Sequence, residues 1–127
     1  MPGAQGLEAV SDGDVLLHAV CDALAGAAGL GDIGDYFPPQ NPKCRGINSQ
    51  DIAVFVLKKI KRFKIINIDV TIIAERPRLV THKPAIIKSL KCIFKSPVNI
   101  KIKSKEGLNI LGGSNAVLCL AAVSLRG

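Results

Sequence analysis

Asp14, His18 and Asp22 recur at steps of four residues. At that spacing they share one face of a helix, an imidazole with a carboxylate one turn to either side. Such a face can offer a ligand to a divalent metal, or its carboxylates can orient the ring. It can equally be a solvated surface, because a metal centre needs three or four donors. His82 is the only other histidine, and Cys21, Cys44, Cys92 and Cys119 lie too far apart to form a CxxC pair. That spacing supports neither a zinc ribbon nor a disulfide scaffold. Cys119, inside the apolar run AVLCLAAV, reads as a small buried core residue. The sequence contains no GxSxG elbow, no Cys–His motif and no Walker phosphate loop. That absence is compatible with phosphoryl transfer within one substrate, a reaction that would ask the protein for positioning and charge neutralisation and not for a nucleophile.

The elements that must carry these groups follow from patterning. Residues 12–29 read as a helix, capped by Ser11 or Asp12 and stopped by Gly29 and Gly31. A proline-bearing loop follows. Ser49 caps a second helix over about 50–63, with Ile52, Phe55, Val56 and Ile60 as its apolar stripe. A β-prone strand over about 65–74 puts Ile66, Ile68, Val70 and Ile72 on one face and Asn67, Asp69 and Thr71 on the other. His82 falls in the basic loop after it. A third helix is expected to start near Pro84, a residue tolerated in a first turn, and to end near Phe94. Residues 98–105 alternate as a half-exposed strand, and an apolar strand over about 116–124 closes the chain. Helices interleaved with strands predict an α/β (α+β) domain, a sheet packed with helices.

At 127 residues and 48% hydrophobic the chain can bury the core of one domain. No apolar run approaches the ~20 residues of a membrane span, and the N-terminus has no secretory pattern. The expectation is therefore a protein without a membrane partner. Charge is uneven. Residues 1–50 hold two basic and six acidic side chains, and residues 51–127 hold fifteen and four. A basic half suits phosphate-bearing ligands. One Tyr, four Phe and no Trp leave few rings for stacking bases, which argues against nucleic acid as a partner.

Taken together, SDGDVLLHAVCDALAGA (11–27) followed by GLGDIGDYFP (29–38) resembles the 2-C-methyl-D-erythritol 2,4-cyclodiphosphate synthase family. Ser11, Asp12, Gly13, Asp14, His18, Asp22 and Gly26 fall at that family's motif spacing. NIDVTIIAERPRL (67–79) is similar to its strand and the cytidine-binding turn after it. NIKIKSKEGL (99–108) is similar to its strand ending in a hydroxyl–acid phosphate motif. The likeness covers nearly the whole of residues 1–127 as one domain.

The resemblance implies a homotrimer with active sites between subunits, in the cytoplasm of a bacterium or in a plastid-type organelle. The activity implied is that of a phosphorus–oxygen lyase of non-mevalonate isoprenoid biosynthesis. The 2-phosphate of 4-diphosphocytidyl-2-C-methyl-D-erythritol 2-phosphate attacks the β-phosphorus of its own cytidine diphosphate arm, and CMP leaves. Zinc and magnesium or manganese are the implied metals. Residue by residue, His18 matches a zinc ligand, and Glu106 the acid that reaches the second metal. Ser11 matches a residue of the substrate loop. Asp32, Ile33, Gly34 and Phe37 match the ribose and loop contacts. Ala74, Arg78, Leu79 and Val80 belong to the matched cytosine pocket, with Arg78 where a lysine is usual. Lys103, Ser104 and Glu106 match the phosphate motif, Ser104 standing for a threonine that stabilises the transition state. The sequence departs from the family in places. The opening strand with its Asp-x-His is expected to be missing, and with it two of three zinc ligands. Val10 stands at a phosphate-stabilising histidine, Pro39 replaces an acid, and Gly113 and Asn115 replace a channel-lining Arg and Glu. These departures leave a second reading: a trimeric family member that binds cytidine nucleotide without turnover.

Overall fold

The fold was obtained as a computed structural model, which describes residues 3–31, Gly34, Tyr36, 49–74, 78–103 and 118–127; for 3–13, 49 and 78–81 only the backbone course is described. The elements run α1 (Gly3–Ala27), α2 (Ser49–Lys59), β1 (Lys64–Ile73), α3 (Arg78–Phe94), β2 (Val98–Lys103) and β3 (Leu118–Arg126). The mixed helix-and-sheet class expected from the patterning is what forms.

The sheet has the order β2–β1–β3, with β1 parallel to β2 and antiparallel to β3. Parallel neighbours need a crossover, and α3 supplies it. On the inner face Ile68, Val70 and Ile72 of β1 and Ile100 of β2 are buried beneath the helices. Helix α1 closes that core with Leu16, Leu17, Val20, Cys21, Leu24 and Ala25, a recurrence one turn apart that leaves Asp14, His18 and Asp22 in solvent. Helix α2 contributes Ile52, Ala53, Val56 and Ile60, and α3 contributes Leu90 and Phe94. The alternation of β2 is as predicted: Ile100 is buried, while Asn99, Lys101 and Lys103 are exposed.

The stop of α1 is also as predicted, and its geometry is complete. Gly29 sits at φ 77°, a left-handed conformation that costs glycine nothing. The Gly29 N–H donates to the Gly26 carbonyl (3.1 Å) and the Leu30 N–H to the Ala25 carbonyl (2.9 Å), which pairs two of the helix's last carbonyls.

Five expectations are corrected. Helix α1 begins at Gly3, so Ser11 and Asp12 lie within it and not at its start; Ala, Gln, Leu and Glu upstream are good helix formers and let it extend backward. Helix α2 ends at Lys59, and residues 60–62 form a turn closed by the Phe63 N–H on the Ile60 carbonyl at 2.8 Å. Helix α3 begins at Arg78, which makes Pro84 an interior residue and puts His82 in the helix instead of a loop. Ile66 is 40% exposed. The β1–β3 ladder pairs Ile65 with Leu125 but Asn67 with Ser124, so Ile66 is an extra residue and the inward parity switches there. Cys119 is half-buried at the core's margin; the fully buried thiol is Cys21.

Candidate active site

The parallel pair fixes where ligand-binding segments depart. Strands β1 and β2 run side by side from Ile68↔Val98 to Ile73↔Lys103. One residue further, the Ala74 N–H donates to the Lys103 carbonyl at 3.0 Å, and Ala74 is 5% exposed. Ala74 and Lys103, each the last described residue before the rest of a sequence-matched segment (74–80 and 103–106), are therefore neighbours in the sheet. Carboxyl ends of parallel strands are where open α/β sheets bind their ligands, because the loops there diverge and leave a crevice. Helix α3 opens at Arg78 four residues on, and Arg78, Leu79 and Val80 form its first turn instead of an irregular turn. A helix start turns unpaired N–H groups outward, which suits a phosphate or a carbonyl-bearing base.

A second loop is anchored from α1. The Tyr36 hydroxyl donates to the Leu30 carbonyl at 3.0 Å, and its ring tilts against Phe55 of α2 at 5.3 Å and 52°. Leu30 packs on the core beyond the α1 stop. The hydrogen bond thereby ties Tyr36 to Leu30. Gly34 is exposed.

His18 is exposed on the polar face of α1, with Asp14 and Asp22 exposed one turn to either side. That much the spacing foretold. Among the described residues no group of three His, Cys, Asp or Glu side chains can hold a metal. The described donors thus do not make a metal centre on their own. Ser104, Glu106, Asp32, Ile33 and Phe37 lie outside the described residues, as do Pro39, Gly113 and Asn115. The side chains of Val10, Ser11, Arg78, Leu79 and Val80 are likewise outside them. Lys103 is described, exposed at the end of β2.

The sequence reading missed Asp69. It faces outward from β1 and accepts from Lys101 Nζ at 2.9 Å and Asn99 Nδ2 at 3.0 Å, both on β2. Those two hydrogen bonds, Lys101 first, hold its carboxyl below the ordinary carboxylate range. The signal was present: Asp69 and Asn99 both oppose the buried Ile and Val of their strands. The pairing of β1 with β2 was not legible. The cluster clamps the two parallel strands shortly before Ile73 and Lys103.

Comparison with known proteins follows the same outline. The YgbB family matches residues 1–126. The 2-C-methyl-D-erythritol 2,4-cyclodiphosphate synthase of Treponema denticola is 43% identical over 127 aligned residues, spanning 96% of this chain and 79% of that protein. A solved structure of a 2-C-methyl-D-erythritol 2,4-cyclodiphosphate synthase in its CDP-bound form superposes with a TM-score of 0.73 at 31% identity, over 87% of this chain and 74% of that one. The bifunctional IspDF from Campylobacter jejuni superposes at 0.81 and 33% identity, over 91% of this chain and 32% of that one. No helix among the described residues is long and apolar enough to cross a membrane.

Proposed function

The chain belongs to the YgbB family, its function is that of a 2-C-methyl-D-erythritol 2,4-cyclodiphosphate synthase, and we propose the following division of labour among its residues. The observation that carries it is the adjacency of Ala74 and Lys103, bridged by one backbone hydrogen bond of 3.0 Å. Ala74, Arg78, Leu79 and Val80 receive the cytosine, the first turn of α3 bringing its free N–H groups to the base. Ser11, Asp32, Ile33, Gly34 and Phe37 close on the ribose and on the erythritol phosphate from the α1 side. Lys103, Ser104 and Glu106 take the diphosphate.

The reaction needs no protein nucleophile. An oxygen of the substrate's 2-phosphate forms a bond to the β-phosphorus, the bond from that phosphorus to the bridging oxygen breaks, and the electron pair leaves on the α-phosphate of CMP. The chain's part is to hold the two phosphates in line and to offset the charge that develops. Lys103 places a cation beside Ala74, and the hydroxyl of Ser104 is the donor this reading assigns to the diphosphate. The divalent-metal requirement falls to His18 for zinc and Glu106 for magnesium or manganese, each together with donors beyond the described residues.

The homotrimer belongs to the same proposal. Among the described residues the helices cover the inner face of the sheet only. Its outer face carries Asp69, Lys101 and Lys103 beside Leu120, which is 54% exposed. β2 and β3 are edges among the described residues. Neighbouring copies would cover that face and those edges, which otherwise invite aggregation. Two subunits would then share each active site.

The test is to supply 4-diphosphocytidyl-2-C-methyl-D-erythritol 2-phosphate with zinc and magnesium and to follow CMP and cyclic diphosphate by mass spectrometry. Equal amounts of both are expected. No CMP above background from a folded trimer would reject turnover. The second reading, nucleotide binding without turnover, draws on the lack of a three-donor group among the described residues; CDP binding by a chain that releases no CMP would select it.

A further inference from the structure

The opposite end of the molecule carries a basic, apolar-floored pocket with no part in this chemistry. It has a volume of about 190 Å³ and lies where the turn after α2, the start of β1 and the end of α3 meet. Leu57, Phe63 and Phe94 are among its apolar lining, and Lys61, Lys64 and Lys95 stand around it. All three lysines are exposed. None of them has a carboxylate partner among the described residues. Lys61 and Lys95 follow the C-termini of α2 and α3, where each helix end presents about half a negative charge. Three full ammonium charges outweigh that, so the pocket's net field attracts anions.

Two observations extend the site. Leu57 also lines a groove of about 370 Å³ between α2 and α3, whose other walls include Val54, Ser89, Cys92 and Ile93. Val54 is 55% exposed there, a large apolar side chain left in water. The two spaces thus adjoin at Leu57, which lines both, with the charge on one side and the apolar surface on the other. Lys95 is also the single described non-glycine residue with positive φ, at 51°. A side chain in the left-handed region costs about 1–2 kcal/mol. Glycine is the usual occupant of such a helix-terminal position, yet here a lysine is held at the pocket's rim. Backbone strain of this kind collects at ligand sites.

We propose that Lys61, Lys64 and Lys95 bind the head of a small anionic amphiphile, a phosphate monoester or carboxylate, whose apolar tail lies along Leu57 toward Val54 and Ile93. From Val54 to Lys61 the chain advances roughly 10 Å along the α2 direction, which an extended eight-carbon tail matches. The site is at the start of β1, whereas Ala74 is at its end. Ten strand residues separate the two by roughly 30 Å. Occupation is thus independent of the nucleotide site and of whether the chain turns over.

Octyl phosphate, inorganic phosphate and octyl glucoside serve as probes in calorimetric titrations of the full chain, alone and with CDP present. Octyl phosphate should bind about tenfold or more tighter than either inorganic phosphate or octyl glucoside, since each lacks one half of the match. CDP should leave that affinity unchanged. The triple variant Lys61→Gln, Lys64→Gln, Lys95→Gln alters only exposed side chains; it should lose that tenfold advantage and retain its circular dichroism. Val54→Asp should weaken the tail's contribution without touching the head. Equal binding by the triple variant, equal binding of inorganic phosphate, or competition by CDP would overturn the proposal. So would capture of the chain on equimolar phosphatidylcholine and phosphatidic acid vesicles without binding of soluble octyl phosphate. Failure of CDP alone to bind would count against the proposed function and leave this site standing.

Discussion

Replacing Pro84 by alanine should make the protein more stable. Pro84 is the seventh residue of α3, past the first turn whose N–H groups have no partner within the helix. It has no N–H to donate to Val80, and its ring crowds that carbonyl. An interior proline costs about 3 kcal/mol relative to alanine. Proline also restricts the unfolded chain, which alanine would release at about 1 kcal/mol. The net gain is then about 2 kcal/mol. With an unfolding entropy near 2.1 cal/mol/K per residue, 127 residues give about 0.27 kcal/mol/K, so Tm should rise by about 7 °C. Pro84 is exposed, so little packing is lost with its ring. The assay is thermal unfolding followed at 222 nm, at one protein concentration for both chains. An unchanged or lowered Tm would refute the reasoning. It would mean that Pro84 opens the helix, where it is well tolerated, and that residues 78–83 are not helical in solution.

Other outcomes test the site and the core. The Asp69 carboxyl, held down by Lys101 and Asn99, should titrate below the ordinary Asp value by carbon-detected NMR, and Lys101→Gln should raise its midpoint. A depressed folded-state pKa stabilises above the unfolded value and is lost as pH falls through the folded one. The β1–β2 clamp should therefore loosen only in acid, and Asp69→Asn should flatten that part of the pH–stability curve. The Cys21 thiol is pushed up to about 12 by burial and then by Asp22. Iodoacetamide at pH 8 should accordingly alkylate exposed Cys92 first and reach Cys21 only on unfolding. Fast labelling of Cys21 in the native state would contradict its burial. His18→Gln should leave stability within about 0.5 kcal/mol, the residue being exposed. It should also cut zinc-dependent cyclisation by at least ~10–100-fold, the loss that even an outer partner of a metal ligand produces.

Much of the site's scaffolding was legible because it is periodic. The one-turn recurrence of Leu16, Val20 and Leu24 orients α1 and so exposes His18 whatever the helix's first residue. The two-residue alternation of β2 sorts Ile100 from Lys101 without knowledge of its neighbours. Gly29 announces the α1 stop because few other residues accept its φ. What was not legible depends on partners distant in sequence. Local preference places Pro84 at a helix start, but Leu90 and Phe94 bury α3 against the sheet and the helix runs on upstream through the proline. Ile66 fits the apolar run of β1, and only the ladder with β3 reveals it as extra. Asp69 acquires its role from Asn99 and Lys101, thirty and thirty-two residues away. The adjacency of Ala74 and Lys103 needed the parallel register itself. The family resemblance bears on that gap by implying which segments act together; the sheet adds that Ala74 and Lys103 are neighbours.

Ile66 makes β1 two segments joined with a slip. Phe63 and Ile65 point inward on one side of it, Ile68, Val70 and Ile72 on the other. A chain lacking this single residue would alternate without interruption from Phe63 to Ile72, every side chain keeping its present destination. Anywhere else along the strand, losing one residue would turn a run of isoleucines out into water. The strand can thus tolerate a change of length at one point only, and homologous chains should be free to differ by one residue there while holding their count fixed on either side.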